Sequence, residues 1–417
     1  MQDAPWAWLG PRTRSFLRGV WRLGPWLVAA KAATMAAQLA AGRLLGAEEF
    51  GKANLCLSAG QWFLALQALW NIGVVKFAGE AQDDAAKSAV LSTFLWLSLG
   101  WTLICLAALW AVRAPLSARL HMPPDLYLWG ILFGVAASLY TTAYSALQAD
   151  MRFRAYGVVE FSYGMLALVL FWTFYRLGRR GYAGFMEAFC LAQVLAALAG
   201  FLVARRRLRL VFSMAAARDL AGYFFPSALN SASLAALERS FPFLLAAYFD
   251  PASVGVYSAY RLGSLALAKP ASHVVGTVLL PQAAHAGTRR GAWRKLAAIA
   301  VPAALAGLVF FAAATGLGLK LFGAQYPLFP ASLALFALAA AISLLAGAAE
   351  ALLMARDSGG LWSVGWGKGL SAAFALGAGA WLIPRWRVAG AGLTYCLSFS
   401  FFLAWCFLFR GERASSG

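Results

Sequence analysis

Apolar residues in this chain gather into runs of about twenty, broken by short polar or Gly/Pro-bearing stretches. A run of that length crosses a hydrocarbon core of roughly 30 Å as a helix at 1.5 Å per residue. The pattern predicts twelve spans: 23–45, 53–75, 88–112, 126–148, 156–176, 182–204, 227–249, 254–280, 296–317, 328–352, 362–383 and 389–409. The hairpin Leu45-Gly46-Ala47-Glu48-Glu49-Phe50-Gly51-Lys52-Ala53 has a later counterpart in Phe249-Asp250-Pro251-Ala252-Ser253-Val254-Gly255-Val256-Tyr257. Aligning Gly51 with Gly255 gives an offset of 204, and the same shift lays the later spans of the first half on those of the second. Six spans per copy is an even number, so both copies enter the membrane in the same direction. The expected architecture is an all-α polytopic membrane protein of two parallel-repeat, six-helix lobes, a design in which the substrate site lies between copies.

The expected divisions are a basic amphipathic segment 1–22, a first lobe 23–204, a basic linker 205–226, a second lobe 227–409 and a tail 410–417. In the first segment Arg14, Arg18 and Arg22 share one face, which suits either a leaflet surface or a juxtamembrane stop. No cleavable leader is read there.

Composition agrees with the pattern. Of 417 residues 62% are hydrophobic and 12% charged, against about a quarter charged in soluble domains. Net charge +19 would suggest nucleic acid in a soluble protein, but here its distribution is topological. With the N-terminus inside, cytoplasmic segments hold 20 of the 35 Lys and Arg, the opposite segments 10 with Arg43 and Arg176 at the span ends counted there, and span interiors five. That bias places both termini in the cytoplasm and removes nucleic acid as a partner. The five cysteines all fall within spans without metal-type spacing, and His121, His273 and His285 lie on separate segments. Neither a metal site, a cofactor nor a catalytic constellation is expected.

Charge inside a span is costly and defaults to a functional hypothesis. Five cations qualify: Lys31, Arg239, Arg261, Lys269 and Lys368. Lys368 lies near its span end and can snorkel; Lys31 is deeper. The turn near Pro251 brings Arg239 and Arg261 to similar depth. Glu238 is the one carboxylate placed centrally, and an ion pair with Arg239 is the structural alternative to a coupling role. Glu160, Glu187 and Glu350 read as solvated span ends. A surplus of buried cations suits an anion, and guanidinium grips phosphate oxygens in pairs. Breaks in the spans at Pro242, Pro270, Gly276 and Pro302 are tolerated where freed backbone lines a cavity; Lys269-Pro270-Ala271-Ser272-His273 is the densest.

Several stretches resemble the polysaccharide flippases of the MOP superfamily, which are MATE-like. They are Leu44-Leu45-Gly46-Ala47-Glu48-Glu49-Phe50-Gly51, Gly73-Val74-Val75-Lys76-Phe77-Ala78-Gly79-Glu80, Leu147-Gln148-Ala149-Asp150-Met151-Arg152-Phe153-Arg154, Val254-Gly255-Val256-Tyr257-Ser258-Ala259-Tyr260-Arg261-Leu262 and Val278-Leu279-Leu280-Pro281. The resemblance implies a non-enzymatic flippase that moves an undecaprenyl-diphosphate-linked oligosaccharide across the bacterial inner membrane by alternating access, in surface polysaccharide synthesis. It implies a cationic cavity, with Arg261 at the family's basic position and Glu238-Arg239 in place of an acidic–basic pair. Polymerase and glycosyltransferases are the implied partners beside membrane lipids. Lipid II flippases carry two further spans, so the O-antigen or exopolysaccharide branch is favoured. The alternatives are a multidrug or metabolite exporter, which would centre on buried carboxylates, and a membrane-embedded glycan enzyme, which would need acids on external loops.

Overall fold

A computed structural model describes residues 11–81, 83–119, 122–205, 207–208, 211–269, 289–354 and 358–408. Pro270, Gly276, His121, His273, His285 and Val278-Leu279-Leu280-Pro281 therefore lie outside the described residues, as do 1–10 and 409–417. Among the described residues every regular element is a helix. In chain order these are α1 (Pro11–Gln67), α2 (Asn71–Glu80), α3 (Asp84–Ala111), α4 (Arg113–Arg119), α5 (Pro124–Ala149), α6 (Phe153–Arg176) and α7 (Tyr182–Ala204). Then follow α8 (Met214–Gly222), α9 (Phe224–Arg239), α10 (Phe241–Tyr248), α11 (Pro251–Gly263), α12 (Arg289–Phe322), α13 (Pro330–Met354) and α14 (Ser358–Leu408). Seven helical stretches among the described residues are long and apolar enough to cross a membrane.

Two of the helices each contain a pair of predicted spans. α1 is 57 residues long and breaks at Gly46, whose φ of 84° lies in the left-handed region that a Cβ disfavours. α14 is 51 residues long and breaks at Arg387, with φ 49°. The predicted hairpins are thus sharp kinks rather than loops. Spans seven and eight are broken instead of continuous: α9 gives way to α10 at Ser240, and α11 stops at Ser264 before a short helical stretch over 265–269. Pro242 explains the first break, because it cannot donate to the carbonyl one turn earlier.

Polar side chains tie equivalent helices together in each half. Lys31 on α1 donates to Glu160 on α6 at 2.9 Å, and Tyr140 on α5 also donates to Glu160. In the second half Lys368 on α14 donates to Glu350 on α13 at 2.6 Å and to Asn230 on α9 at 3.1 Å.

The halves meet where the two repeated hairpins cross. A Cβ on Gly51 would run into the Pro251 carbonyl and stand 2.9 Å from the Gly255 nitrogen; one on Gly255 would run into the Ala47 carbonyl. Residues 47 and 251, like 51 and 255, are separated by 204, so the contact is reciprocal, as at a two-fold interface. Around it Tyr326 donates to the Gly42 carbonyl at 2.8 Å, and Phe322 packs on Phe50 with centroids 5.7 Å apart.

Candidate functional site

The two broken spans bring the charged residues together. Arg239 occupies the last turn of α9 and Arg261 the last turn of α11. A helix C-terminus carries about half a negative charge, which favours a cation there. Each interruption therefore makes room for one arginine within the apolar layer. Glu238, which is 8% exposed, accepts from Lys269, and both Arg239 and Arg261 act on its charge. Of the cations open to Glu238, it is Lys269, approaching from the neighbouring span, that forms the ion pair. Half of the Lys269 side chain is accessible (50%), against 11% for Glu238.

A hydroxyl relay supports this cluster. Pro242 has no N–H for the Glu238 carbonyl; Tyr395 on α14 donates to that oxygen at 3.4 Å, and its hydroxyl lies 2.7 Å from the Tyr257 hydroxyl on α11. Tyr395 and Tyr257 are fully buried and pack on Phe336, with Phe241 edge-on to Tyr395. Sequence reasoning named neither tyrosine as a site residue. Tyr257 lies within the hairpin stretch Val254–Leu262, but its partner is 138 residues away.

The charge balance follows. Three cations (Arg239, Arg261, Lys269) surround one carboxylate (Glu238), a formal surplus of +2, which two helix C-termini reduce to about +1. The remaining candidate, Lys31, is not brought into this group: it pairs with Glu160 in the first half. Glu160, read as a solvated span end, is 7% exposed. It is sheltered by Tyr140, Tyr156 and Tyr163. Glu350 is likewise taken up by Lys368. These partners were unreadable because each sits on a different helix, 129 residues apart for Lys31 and Glu160. Glu187 does remain at a helix edge, held by Arg179. No cluster of three metal-type ligands occurs among the described residues.

Long apolar helices, with two broken helical segments meeting at a charge cluster, make a multi-pass membrane fold. Solved structures with that fold include an inward-facing multidrug resistance MATE transporter of the MOP superfamily (TM-score 0.71, 14% identity, covering 91% of this chain and 94% of that one). The lipid II flippase MurJ in an inward closed conformation is also similar (TM-score 0.61, 10% identity, 92% and 86% covered). So is a MOP superfamily transporter from Pyrococcus furiosus, described as having a binding pocket of reverse polarity (TM-score 0.57, 14% identity, 94% and 95% covered). These neighbours are transporters and a flippase rather than enzymes. A search of curated protein sequences finds no match to this chain. The model of the polysaccharide biosynthesis protein family matches residues 40–326, and the chain belongs to that family.

Proposed function

We propose that this protein is a flippase that carries an undecaprenyl-diphosphate-linked oligosaccharide from the inner to the outer leaflet of the bacterial inner membrane, for surface polysaccharide synthesis. The observation that carries the reading is the cationic surplus of Arg239, Arg261 and Lys269 around the single acid Glu238, at breaks in two spans. A diphosphate crossing lipid loses its water, and fixed guanidinium and ammonium donors replace it. Arg261 and Arg239 supply forked donors. Lys269 can leave Glu238 to meet the substrate, which would return on release.

The two lobes, 23–204 and 227–409, then rock about the crossing of the Gly51 and Gly255 hairpins, with the polyprenyl tail in the bilayer and both termini in the cytoplasm. Lys31 is reassigned to a tie between helices in the first lobe, although substrate phosphates could draw its ammonium off Glu160. An exporter of cationic drugs is the weaker reading, because Glu160, Glu238 and Glu350 each already hold a lysine. Partners among polymerases and glycosyltransferases follow from the same reading.

The test is complementation of surface polysaccharide in a flippase-deficient host, with expression verified. Arg261→Ala is expected to abolish export and Arg261→Lys to restore it in part, since lysine keeps the charge without the planar fork. Full export by Arg261→Ala at normal protein levels would refute the assignment.

A further inference from the structure

We propose that the adjoining ends of α6 and α7 form a separate site for the phosphate headgroup of an anionic membrane phospholipid. A cavity of about 480 Å³ opens there, lined by Arg152, Leu202, Val203 and Arg205. It lies on the membrane face that the charge bias assigns to the cytoplasm, across the bilayer from the Gly51–Gly255 crossing. A volume of a few hundred Å³ suits a small ligand.

The arginines are prepared for an anion in different ways. Asp150, whose side chain is 6% exposed, gathers Lys87 at 3.0 Å, Arg152 Nε at 2.7 Å and Arg207 Nε at 3.6 Å. The Asp150 carboxylate is therefore already shared among three cations. Arg152 is further fixed by Nη1 donating to the Val203 carbonyl at 3.1 Å. Its Nε and Nη1 are thus committed, and its Nη2 has no partner among the described residues. Arg205 caps α7 and has no carboxylate within ion-pair distance among the described residues. One oriented guanidinium and one with no carboxylate partner among the described residues flank the cavity.

The apolar lining selects a lipid over a soluble anion. Leu202 and Val203 belong to the last turn of a membrane helix and are exposed, Leu202 to 63%. A ligand seated between the arginines would carry acyl chains down this surface while its phosphate stayed in the headgroup layer. Basic recesses between helices on the cytoplasmic side are suited to such headgroups. The site does not share residues with the Glu238 cluster, so it can be tested apart from transport.

The experiment is native mass spectrometry of the full chain released from bilayers of equal phosphatidylglycerol and phosphatidylcholine. Wild type is expected to retain phosphatidylglycerol selectively. Arg205→Ala, at an exposed position that disturbs no described ion pair, is expected to weaken retention roughly fivefold, the effect of one basic residue at a membrane surface. Arg180→Ala, exposed on the opposite face, is expected to leave it unchanged. Inorganic phosphate is expected not to displace the lipid; displacement by phosphate alone would overturn the lipid assignment in favour of a soluble anion. Equal retention of phosphatidylcholine, or wild-type retention by a well-folded Arg205→Ala protein, would also overturn the proposal.

Discussion

The reciprocal crossing of the two hairpins gives a quantitative test of how the halves move. Replacing Gly51 with Ala places a methyl group against backbone, 2.7 Å from the Pro251 carbonyl carbon in addition to the overlap with its oxygen. Backbone cannot rotate aside as a flexible side chain can, so the hairpins must separate. Overpacking of this kind costs about 1–3 kcal/mol. Ala in place of Gly within a helix returns about 1 kcal/mol, but equally in both states. The differential penalty on the state in which the hairpins touch is therefore about 1–3 kcal/mol, a population shift of roughly 5- to 150-fold toward a separated state. Gly255→Ala, facing the Ala47 carbonyl, should behave alike. The double variant should shift little further, because separation that accommodates one methyl accommodates the other. Spin labels at Glu48 and Asp250, both exposed, would report the distance across the crossing in reconstituted bilayers. A longer-distance population is expected in either variant. Lowered thermal stability with an unchanged distance distribution would refute the idea that this contact opens, and would make it a fixed weld.

Tyr395→Phe should cost about 1–3 kcal/mol of thermal stability by leaving the Glu238 carbonyl unpaired; adding Pro242→Ala, which supplies an N–H, should recover part of it in a double-mutant cycle. Lys31→Met should destabilise by about 1–3 kcal/mol, less than for a fully buried pair because its side chain is 54% exposed. Glu160→Gln in the same chain should restore stability and leave export intact; lost export in the stable double variant would make Lys31 a substrate ligand. At Glu49 burial opposes ionisation, but Lys52 and the Tyr182 N–H outweigh it and hold the carboxyl below its ordinary range. A depressed pKa contributes stability above the unfolded value of about 4.3 that is lost as pH falls through the folded one. Protection of the Tyr182 amide, its exchange rate relative to the intrinsic rate at each pH, should therefore fall below about pH 4, and Glu49→Gln should lose that dependence.

Local chemistry was legible in the sequence and distant partnership was not. Span lengths, the duplicated hairpin and the break at Pro242 follow from hydropathy, spacing and a missing N–H, all of which act over a few residues. The offset of 204 even pointed to the pair of glycines that touch. By contrast, which carboxylate meets which lysine depends on helix rotation and packing across more than a hundred residues. Glu160 therefore read as a solvated end while it is buried under Tyr140, and Glu238 was open to any of three cations, of which Lys269 holds it. Surplus charge could be counted from the sequence; its division between ties and a site could not.

The segment joining the halves has a mechanical consequence. The Arg207 carbonyl accepts from Ser88 at 2.6 Å, its guanidinium holds Asp84 at 2.6 Å, and the Ser213 N–H donates to Thr93 at 2.9 Å. Leu220 on α8 is then buried among Leu69, Val74 and Phe94. A stretch that would be a slack leash by sequence is a splint bound to the first half. The splint reaches to its far end, where α8 gives way to α9: Lys76 donates to the Tyr223 hydroxyl, and the Tyr223 ring stands edge-on to Phe77 with centroids 5.5 Å apart. Insertion of flexible residues before Ser213 would lengthen the chain without loosening the joint, whereas a proline or a glycine pair at Tyr223 would change the stroke itself.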